Sequence, residues 1–432
     1  MKWQGVYEKA YKWAKEEIND SPGIALGFHS VVDGLINVKE NEFEKIADLR
    51  SYVQDEPPIS IKTPEDFLKG FAYSFSKGKA LQIMIESENV YKWIKENFGF
   101  GQIRLGGTSA NMAVALSKFG FKDVLIYIYP LSKDLVELFP ESDNLKTIDS
   151  DGNIVHPKHA WNEEGIKAVH WIFEFKKGQK ISGIECPRDN RFIASWNPVN
   201  SKLKISESFK INFPKYIDRY RKFIIAGFHI MREVYPDGET VDKRFDELVS
   251  FVKEIKEKGI SIHAEMASIR YPKVRKNIVE RIFPLIDSSG MNEVELSWIA
   301  KDLGFYSEEL ERSNPIKVYE FLKFLLKETG IKRIHYHTLG YYIVVSNDEN
   351  KEKELMKLST AALAAAYRAK FAVSPNIDDL ESVMKIPISD TGKKAAETLK
   401  STDAIVLPTK VVEKPKLTVG LGDTISSIAF CL

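Results

Sequence analysis

The stretch Thr418-Val419-Gly420-Leu421-Gly422-Asp423-Thr424-Ile425-Ser426-Ser427 joins an apolar segment to the apolar residues 428–430 through a glycine-rich turn. Glycines let the backbone turn sharply and approach a ligand closely. A helix that starts in this turn would direct free N–H groups and its positive dipole end at an anion. A carboxylate such as Asp423 repels a phosphate, but it suits a base that takes a proton from an attacking hydroxyl. The alternative is an ordinary helix start with Asp423 near the N-cap, and this stretch alone does not decide.

From residue 222 onward, apolar segments typical of strands alternate with segments of helical periodicity. We predict strands over 222–228, 260–266, 333–337, 341–345 and 404–407, and helices over 242–258, 272–282, 315–329 and 354–370. This alternation predicts an α/β fold with a central, mostly parallel sheet and helices on both of its faces. Ligands of such sheets bind beyond the carboxyl ends of the strands, where we expect the polar residues that follow strands, including Asp33 after a strand over 24–28.

The less regular segments predict a second, smaller domain. We assign residues 1–33, 106–154 and 211–432 to the large α/β domain, and residues 34–105 and 155–210 to two inserts that build a discontinuous β-containing lid. Within the first insert we predict a helix over 41–54. Thr63-Pro64-Glu65-Asp66 then predicts the start of another helix, because a hydroxyl cap is followed by proline and acids.

Composition limits the classes of function. The net charge of the 432-residue chain is +1 without a basic stripe, so nucleic acid is not expected as a partner. Because no apolar run reaches the length of a membrane span and the N-terminal residues are charged, we expect a cytoplasmic protein without a membrane partner. Cys186 and Cys431 form no disulfide or metal pattern. Abundant lysine and glutamate with only five glutamines favour a heat-adapted, thermophilic source. The oligomeric state is left open, with a monomer plausible.

Two further acidic clusters accompany Asp423. Glu265 ends the apolar strand that contains His263, and Asn292 and Glu295 are three residues apart, which places them on one face of a helix. An amide and carboxylates suit a hydrated Mg²⁺, which keeps most of its waters. Taken singly, each cluster is also compatible with a strand that leaves the core or with acids in a helical first turn. Together they predict a magnesium–phosphate site with a base.

No GxxxxGK[ST] loop occurs, so the phosphates are expected at the glycine turn before Asp423. The ordered motifs of the chain are RLGG with a following MA (Arg104–Ala113), PRxNRF (Pro187–Phe192), HxE (His263–Glu265), GxNExEL (Gly290–Leu296), RIHxHTxGYY (Arg333–Tyr342) and PT-x6-P-x-x-TVGxGDTIS (Pro408–Ser426). With these motifs the chain resembles, nearly from end to end, the archaeal ADP-dependent sugar kinases (glucokinase and phosphofructokinase), which have the ribokinase-like fold.

The resemblance implies transfer of the β-phosphoryl group of ADP to a sugar hydroxyl, with release of AMP, a glycolytic type of reaction. It implies that Asp423 is the base, that Gly420 and Gly422 form the anion hole, and that Glu265 and Glu295 hold Mg²⁺ through waters close to Asp423. The residues that it places around the nucleotide are His337, Thr338, Tyr342, Val412, Val419 and Gly420. It also implies that a small lid domain closes over the sugar and excludes water.

The resemblance assigns the acceptor site to Asp33, Glu86, Gly106, Gly107, Thr108, Asn111 and Arg191. The glucokinases of this family resemble GYNTNID where this chain has Gly27–Asp33, so Val31 replaces a polar residue. They carry glutamine where this chain has Thr108. Lost amide contacts predict that glucose is a poor substrate, unless His29 and Asn111 substitute.

Two of the acceptor residues have other interpretations. Glu86 matches a lid glutamate that contacts glucose in the glucokinases, but it is equally compatible with a surface acid. Arg191 lies with Arg188, Lys176 and Lys177 in the predicted lid, where cations would hold a sugar phosphate. A structural role for Arg191 is favoured, because relatives that take unphosphorylated sugars also carry it.

We therefore expect an ADP-dependent sugar or sugar-phosphate kinase that requires Mg²⁺. Glucose, fructose 6-phosphate and a pentose phosphate such as ribose 1-phosphate stay open as the acceptor. The alternatives are an ATP-dependent kinase of the ribokinase-like fold and a non-catalytic relative that binds nucleotide as a sensor.

Overall fold

The computed structural model describes residues 3–347 and 350–432, which form a ten-stranded sheet, a five-stranded sheet and a two-stranded hairpin, all surrounded by helices. The strands in chain order are β1 (Gly23–Gly27), β2 (Val31–Asn37), β3 (Leu81–Met84), β4 (Gln102–Gly106), β5 (Val124–Ile126), β6 (Leu145–Ile148), β7 (Ile154–Val155), β8 (Val169–Phe175), β9 (Lys180–Ile181), β10 (Ile184–Glu185), β11 (Asn190–Trp196), β12 (Tyr220–Ile225), β13 (Ser261–Glu265), β14 (Ser288–Asn292), β15 (Arg333–His337), β16 (Tyr341–Ser346) and β17 (Ile405–Pro408).

The α-helices in chain order are α1 (Trp3–Glu17), α2 (Glu40–Glu44), α3 (Pro64–Lys77), α4 (Glu88–Phe98), α5 (Thr108–Phe119), α6 (Lys133–Val136), α7 (Glu207–Asn212), α8 (Val241–Glu257), α9 (Pro272–Asn277), α10 (Glu293–Asp302), α11 (Glu308–Glu311), α12 (Pro315–Thr329), α13 (Lys351–Phe371), α14 (Asp390–Thr398) and α15 (Leu421–Cys431). Across the described ranges, none of these helices has the length and apolar character that a membrane crossing requires.

The large sheet has the order β17-β16-β15-β14-β13-β12-β1-β5-β6-β7. Its strands from β15 to β6 are parallel, and β16, β17 and β7 pair antiparallel at the two edges. The carboxyl ends of β13, β14 and β15 therefore meet at one edge of the sheet. The predicted mostly parallel sheet is confirmed.

Helices cover both faces of this sheet, as predicted. Side chains of α8, α10 and α12 pack on one face, and those of α1, α5, α13 and α15 pack on the other. Helix α15 lies deepest, because every residue from Thr424 to Cys431 is buried. Its neighbours are α13 and α5, so the turn that begins α15 is held by two other helices.

The five-stranded sheet has the order β3-β11-β8-β2-β4 and packs against α3 and α4 through an aromatic core. Phe67, Phe71 and Phe75 of α3 lie one helical turn apart and are fully buried. Thr63 caps the start of α3 as predicted, and the structure adds that Thr63 and Asp66 form a reciprocal capping box. Two of the connections between this sheet and the large domain are short: residues 28–30 join β1 to β2, and Gly107 alone joins β4 to α5.

Two predictions about residues 33–54 are wrong. Instead of one helix over 41–54, the chain forms α2 and a separate 3-10 turn over Leu49–Tyr52, because the Asp48 side chain accepts a hydrogen bond from the Arg50 N–H and caps a new turn. Asp33 does not lie at the end of β1. It is the third residue of β2 in the five-stranded sheet, since the chain leaves the large sheet at Gly27.

Candidate active site

Asp423 lies in the first turn of α15, directly after the glycine turn. Gly420 is the N-cap residue and has φ +73°, a conformation that side chains other than glycine rarely adopt. A Cβ at this position would also come within 2.8 Å of Arg368 Nη2. The helix therefore begins with its N–H groups and positive dipole end at the carboxyl edge of the large sheet, where an anion is favoured.

Two other helices position the Asp423 carboxylate. Asn111 in the first turn of α5 donates from Nδ2 to Asp423 Oδ2 at 3.1 Å. Arg368 near the end of α13 donates to the Val419 carbonyl at 3.4 Å and to Ser374 Oγ at 2.6 Å, and its charge acts on Asp423. Burial and the nearby Glu265 raise the pKa of Asp423 to about 7, although Arg368 and Asn111 act in the opposite direction. Such a pKa suits a carboxylate that exchanges a proton near neutral pH.

Two further carboxylates come from the adjacent strand ends. Glu265 ends β13, and Glu295 forms a reciprocal capping box with Asn292 at the start of α10. Burial raises the pKa of both glutamates to about 8, and for Glu295 the charges of Glu265 and Asp423 add to the effect. A Cβ on Gly290 would lie 2.5 Å from Glu265 Oε2, so only glycine leaves room for this carboxylate. Three carboxylates are thus concentrated where one divalent cation would compensate their charge.

The donor set fits a hydrated magnesium ion. Within residues 3–347 and 350–432, no group of three or more His, Cys, Asp or Glu side chains is arranged to hold a metal directly. Magnesium keeps several of its waters and takes few protein ligands. Carboxylates whose pKa values are raised by burial, and for Glu295 also by neighbouring carboxylate charges, are suited to contact such an ion through water.

The segments expected around the nucleotide are brought together beside this turn. His337 ends β15, and its Nε2 would lie 3.1 Å from a Cβ on Gly422, so His337 borders the glycine turn itself. The Thr409 N–H donates to the Gly340 carbonyl at 3.1 Å, which ties the loop after β15 to the loop after β17. Leu339 is 85% exposed at this junction. Tyr342 is buried against the rings of His335 and His337, whereas Thr338 and Val412 are half-buried.

The turn between β4 and α5 lies next to His29. Gly107 has φ +96°, and a Cβ on it would lie 2.6 Å from the His29 carbonyl oxygen. The Thr108 N–H donates to His29 Nδ1 at 3.1 Å, and the Ser109 N–H donates to the His29 carbonyl at the same distance. Because Asn111 is in the same helical turn, this segment connects His29 to Asp423.

Asp33 faces a set of cations and histidine on the five-stranded sheet. Its carboxylate is 3.5 Å from Arg104 Nε on β4 and 3.7 Å from His170 Nδ1 on β8. A Cβ on Gly106 would lie 2.1 Å from Asp33 Oδ1, so the carboxylate rests on the glycine. Burial raises the pKa of Asp33 to about 6, although the charges of Arg104 and Arg191 lower it. Arg191 is therefore within electrostatic reach of Asp33.

Glu86 forms ion pairs with cations from two separate segments. Its Oε1 is 3.3 Å from Arg232 Nη1, and its Oε2 is 3.7 Å from Lys62 Nζ. The Arg232 side chain is only 6% exposed, and its Nη2 donates to the Ile85 carbonyl at 2.9 Å. Glu86 is thus fixed by a buried arginine, which a purely surface acid would not require.

Several buried polar atoms between the two sheets lack a hydrogen-bond partner among the described residues. They are His29 Nε2, Ser30 Oγ, Asn197 Oδ1, Asn200 Oδ1, His229 Nδ1 and Arg232 Nε. The ring of His29 lies 4.8 Å from that of His229 and 5.4 Å from that of His170, and His170 contacts Asn197 at 2.8 Å. Buried polar groups are normally paired, so these atoms indicate space for a ligand with many hydroxyl groups.

The three histidines act as neutral hydrogen-bonding groups. Burial lowers the pKa of His170 to about 3 and that of His229 to about 4, and it also lowers the pKa of His29. Sequence reasoning considered His29 but missed His170, His229, Asn197, Arg232 and Arg368. These residues come from separate segments and carry no spacing signal, so only the fold brings them together.

The amino-acid sequence is similar to those of known ADP-dependent sugar kinases. Residues 22–432 match a family model described as the ADP-specific phosphofructokinase/glucokinase conserved region. The chain is 30% identical to the ADP-dependent glucose/glucosamine kinase of Pyrococcus abyssi, with coverage of 100% of this chain and 98% of the relative. It is 28% identical to the ADP-specific phosphofructokinase of Methanosarcina acetivorans, with coverage of 99% and 96%.

Two solved structures have the same fold over nearly the whole length of this chain. One is described as the last common ancestor of ADP-dependent phosphofructokinases from Methanosarcinales, with a TM-score of 0.83, 31% identity and coverage of 99% of this chain and 97% of that one. Another is an ADP-dependent kinase in complex with fructose 6-phosphate and ADPβS, with a TM-score of 0.84, 29% identity and coverage of 100% and 97%.

Proposed function

The chain belongs to the ADP-specific phosphofructokinase/glucokinase family, and from this we propose that it is a phosphotransferase that moves the β-phosphoryl group of ADP to a hydroxyl of a sugar or sugar phosphate and releases AMP. One observation carries the proposal. Asp423 stands at the start of α15 with Asn111 at 3.1 Å, within electrostatic reach of Glu265 and Arg368. A base, an anion-binding turn, a cation and further carboxylates are thus combined at one edge of the sheet.

The proposed reaction assigns the proton and the phosphoryl group to different parts of the site. The acceptor hydroxyl loses its proton to Asp423 as its oxygen bonds to the β-phosphorus of ADP. The bond from this phosphorus to the bridging oxygen breaks, and AMP leaves with the electron pair. The N–H groups of the Gly420–Asp423 turn and the charge of Arg368 stabilise the negative charge of the transferring group.

Glu265 and Glu295 would hold Mg²⁺ through waters in this proposal, with Asp423 beside them. A magnesium ion bound there would neutralise charge on the phosphate oxygens. Asn292 fixes Glu295 for this task, because its backbone N–H donates to Glu295 Oε2 at 2.8 Å and its side-chain amide to Oε1 at 2.9 Å. Gly290 leaves the space that the Glu265 carboxylate needs.

On the nucleotide side, we propose that the joined loops after β15 and β17 bind adenosine. The exposed Leu339 supplies an apolar surface next to Thr338, and Val412 and Val419 lie on the segment that follows β17. His337 borders Gly422, so it is placed for the phosphates of the same nucleotide. The centroid of the Tyr342 ring is 6.4 Å from that of the His337 ring, so Tyr342 is a neighbour of His337 in this region.

The acceptor would bind between the two sheets, against Asp33, Glu86 and the β4–α5 turn. The unpaired atoms of His29, His229 and Asn197 supply partners for sugar hydroxyls. We also propose that the inserts 34–105 and 155–210 form a lid that closes over the acceptor, since they contain β3, β8, β11 and most of β2 and β4, which together make the five-stranded sheet. Closure would keep water from competing for the phosphoryl group.

Glucose, fructose 6-phosphate and a pentose phosphate such as ribose 1-phosphate are the acceptor candidates. The buried Glu86–Arg232 contact favours a sugar that is recognised through its hydroxyls. Arg104 and Arg191, both within electrostatic reach of Asp33, would instead pair with the phosphate of a phosphorylated sugar. Because Val31 and Thr108 offer no amide, we expect a phosphorylated or furanose acceptor to exceed glucose in kcat/KM.

A substrate panel tests the proposal. Glucose, fructose 6-phosphate and ribose 1-phosphate are each assayed with ADP and with ATP, and AMP release is measured. We expect AMP release with ADP and a much lower kcat/KM with ATP. A higher kcat/KM with ATP would identify an ATP-dependent kinase. Tight nucleotide binding by calorimetry without turnover of any acceptor would identify a non-catalytic binding protein.

A further inference from the structure

A second polar cavity lies at the edge of the large sheet opposite to Asp423. Its volume is about 360 Å³, and it is lined by the first residues of β13, β14 and β15, by Lys222 near the start of β12 and by the first turns of α13. The residues that carry the inference are Lys222, Ser288, Lys332, Arg333, Glu354 and Lys357. Because parallel strands begin at this edge, the cavity is separated from the active site by the length of the strands.

Arg333 forms the floor of the cavity and is only 8% exposed. Its Nε donates to Glu354 Oε2 at 2.6 Å, and its Nη1 donates to Ser288 Oγ at 3.0 Å. Its remaining terminal nitrogen, Nη2, is buried and has no hydrogen-bond partner in the described part of the chain. An unpaired buried donor on a charged group is costly, so this nitrogen indicates a missing acceptor in the cavity.

The cavity carries more positive than negative charge. Among the residues that the structure describes, four cationic side chains and two carboxylates line it, which leaves an excess of two positive charges. Both carboxylates are occupied: Glu354 by Arg333 and Lys357, and Asp287 by Lys332 and Lys256. Among residues 3–347 and 350–432, the acceptors of Lys222 are two main-chain carbonyls, that of Phe430 at 2.9 Å and that of Cys431 at 2.6 Å. Burial lowers the pKa of Lys222 to about 8, which a bound anion would reverse.

We propose that this cavity binds a phosphate-type dianion, with Arg333 Nη2, Lys222 and Lys357 as its charged donors. Two negative charges match the excess of positive charge, and a tetrahedral oxyanion offers enough acceptors for donors on three walls. A volume of about 360 Å³ equals that of about a dozen waters, so the cavity has room for a free phosphate or for the phosphate monoester of a metabolite.

The cavity also touches the far end of the helix that carries Asp423. Lys222 binds the last carbonyls of α15, and Ala429 and Phe430 line the cavity. The 11 residues of α15 extend over about 16 Å, since an α-helix rises about 1.5 Å per residue. An anion at Lys222 is therefore too far from the glycine turn to compete directly with a nucleotide phosphate.

Titration calorimetry of the full chain with inorganic phosphate, at constant ionic strength, tests this site. Lys357→Gln removes one charged donor and should weaken phosphate binding by at least about 10-fold, the effect typical of a lost charge-assisted hydrogen bond. Lys353→Gln is the matched control, because Lys353 is one turn earlier on α13, pairs with Glu17 and does not line the cavity. It should bind phosphate like the wild type.

A second variant keeps the test independent of folding defects. Arg333→Lys preserves the charge beside Glu354 but removes Nη2, so it should abolish the rise in melting temperature that millimolar phosphate gives the wild type. If wild type, Lys357→Gln and Arg333→Lys respond equally to phosphate, or if the wild type does not respond, the site does not exist.

Two ligands distinguish the source of the phosphoryl group. Inorganic phosphate and a phosphate monoester, glycerol phosphate, are titrated into wild type and Lys357→Gln. Tighter Lys357-dependent binding of the monoester would identify a metabolite head group, and tighter binding of inorganic phosphate would identify the free ion. Binding of either ligand that is independent of Lys357 and is lost on addition of ADP would place it at the active site and overturn the inference.

Discussion

The Asn111 side chain donates a hydrogen bond to Asp423 across 3.1 Å, although 312 positions separate the two residues in the chain. Both lie in the first turns of helices, α5 and α15, whose N-termini converge at this contact. The bond engages only Oδ2 of the carboxylate, so it can orient the group while Oδ1 receives a proton. Asn111 is therefore a positioning residue for the proposed base.

Asn111→Ala should lower kcat by about 10-fold, because one hydrogen bond to a charged group is lost and Asp423 is less well oriented. The KM for ADP should change less, since Asn111 is not in the segments assigned to adenosine. Steady-state kinetics with ADP and the preferred acceptor would measure both constants. Asn97→Ala is the control, because the exposed Asn97 side chain donates to the Trp93 carbonyl of its own helix, α4. An unchanged kcat in Asn111→Ala would remove Asn111 from the site.

Much of the fold followed from the sequence, because the deciding signals were local. The glycine turn before Asp423 and the helix start at Thr63–Asp66 are each contained within a few residues. The alternation of strands and helices follows from the periodicity of successive short segments. Local signals also grouped Glu265 and Asn292–Glu295 at adjacent strand ends. The comparisons confirm the family that the motifs indicated.

The acceptor region could not be predicted in the same way. His29, His170, His229 and Asn197 come together only because β8 meets three loops, those after β1, β11 and β12. Asp33 was placed on the wrong strand, since an apolar run followed by polar residues does not show that the chain has passed from one sheet into another.

Glu265→Gln and Glu295→Gln should each weaken Mg²⁺ binding in the presence of ADP, and the double change should be less than additive because both side chains act through one ion. Glutamine can still serve in the capping box with Asn292, so the fold of α10 should be kept. Calorimetric titration with Mg²⁺ and the Mg²⁺ dependence of kcat are the measurements. Glu308→Gln, in an exposed helix, is the control. Unchanged Mg²⁺ affinity in the double variant would exclude both residues.

Asp33 should make the stability of the protein depend on pH. Its folded pKa of about 6 exceeds the ordinary value of 3.8, so the folded state binds the proton more tightly and stability from this group is lost as pH rises from about 4 to about 6. This difference in pKa corresponds to about 3 kcal/mol in the free energy of unfolding. We therefore expect the melting temperature of Asp33→Asn, relative to that of the wild type, to be higher at pH 7 than at pH 4.

Asp143→Asn, at an exposed aspartate, is the control for this comparison. Its melting temperature should follow that of the wild type at every pH. A difference between wild type and Asp33→Asn that stays constant from pH 4 to pH 7 would show that Asp33 is ionised throughout this range. In that case the charges of Arg104 and Arg191 would lower the pKa of Asp33 by as much as burial against Gly106 raises it.

Asp423→Asn tests the proposed base. Asparagine keeps the shape of the side chain at the start of α15, but it cannot accept the proton of the acceptor hydroxyl. General-base catalysis contributes about 10²–10⁴-fold, so kcat should fall by at least about 10²-fold. ADP affinity should be held or slightly improved, because one negative charge near the phosphates is removed.

Thr424→Val is the matched neighbour, since its hydroxyl donates only to the Gly420 carbonyl at 2.9 Å and cannot act as a base. It should therefore reduce kcat less than Asp423→Asn does. Steady-state kinetics of both variants, together with ADP affinity by calorimetry and melting temperature, give the comparison. If Asp423→Asn keeps more than about a tenth of kcat, well short of the loss of a base, Asp423 only caps the helix. If ADP binding and the melting temperature collapse together, Asp423 supports the fold of the glycine turn, and the acceptor proton must leave by another group.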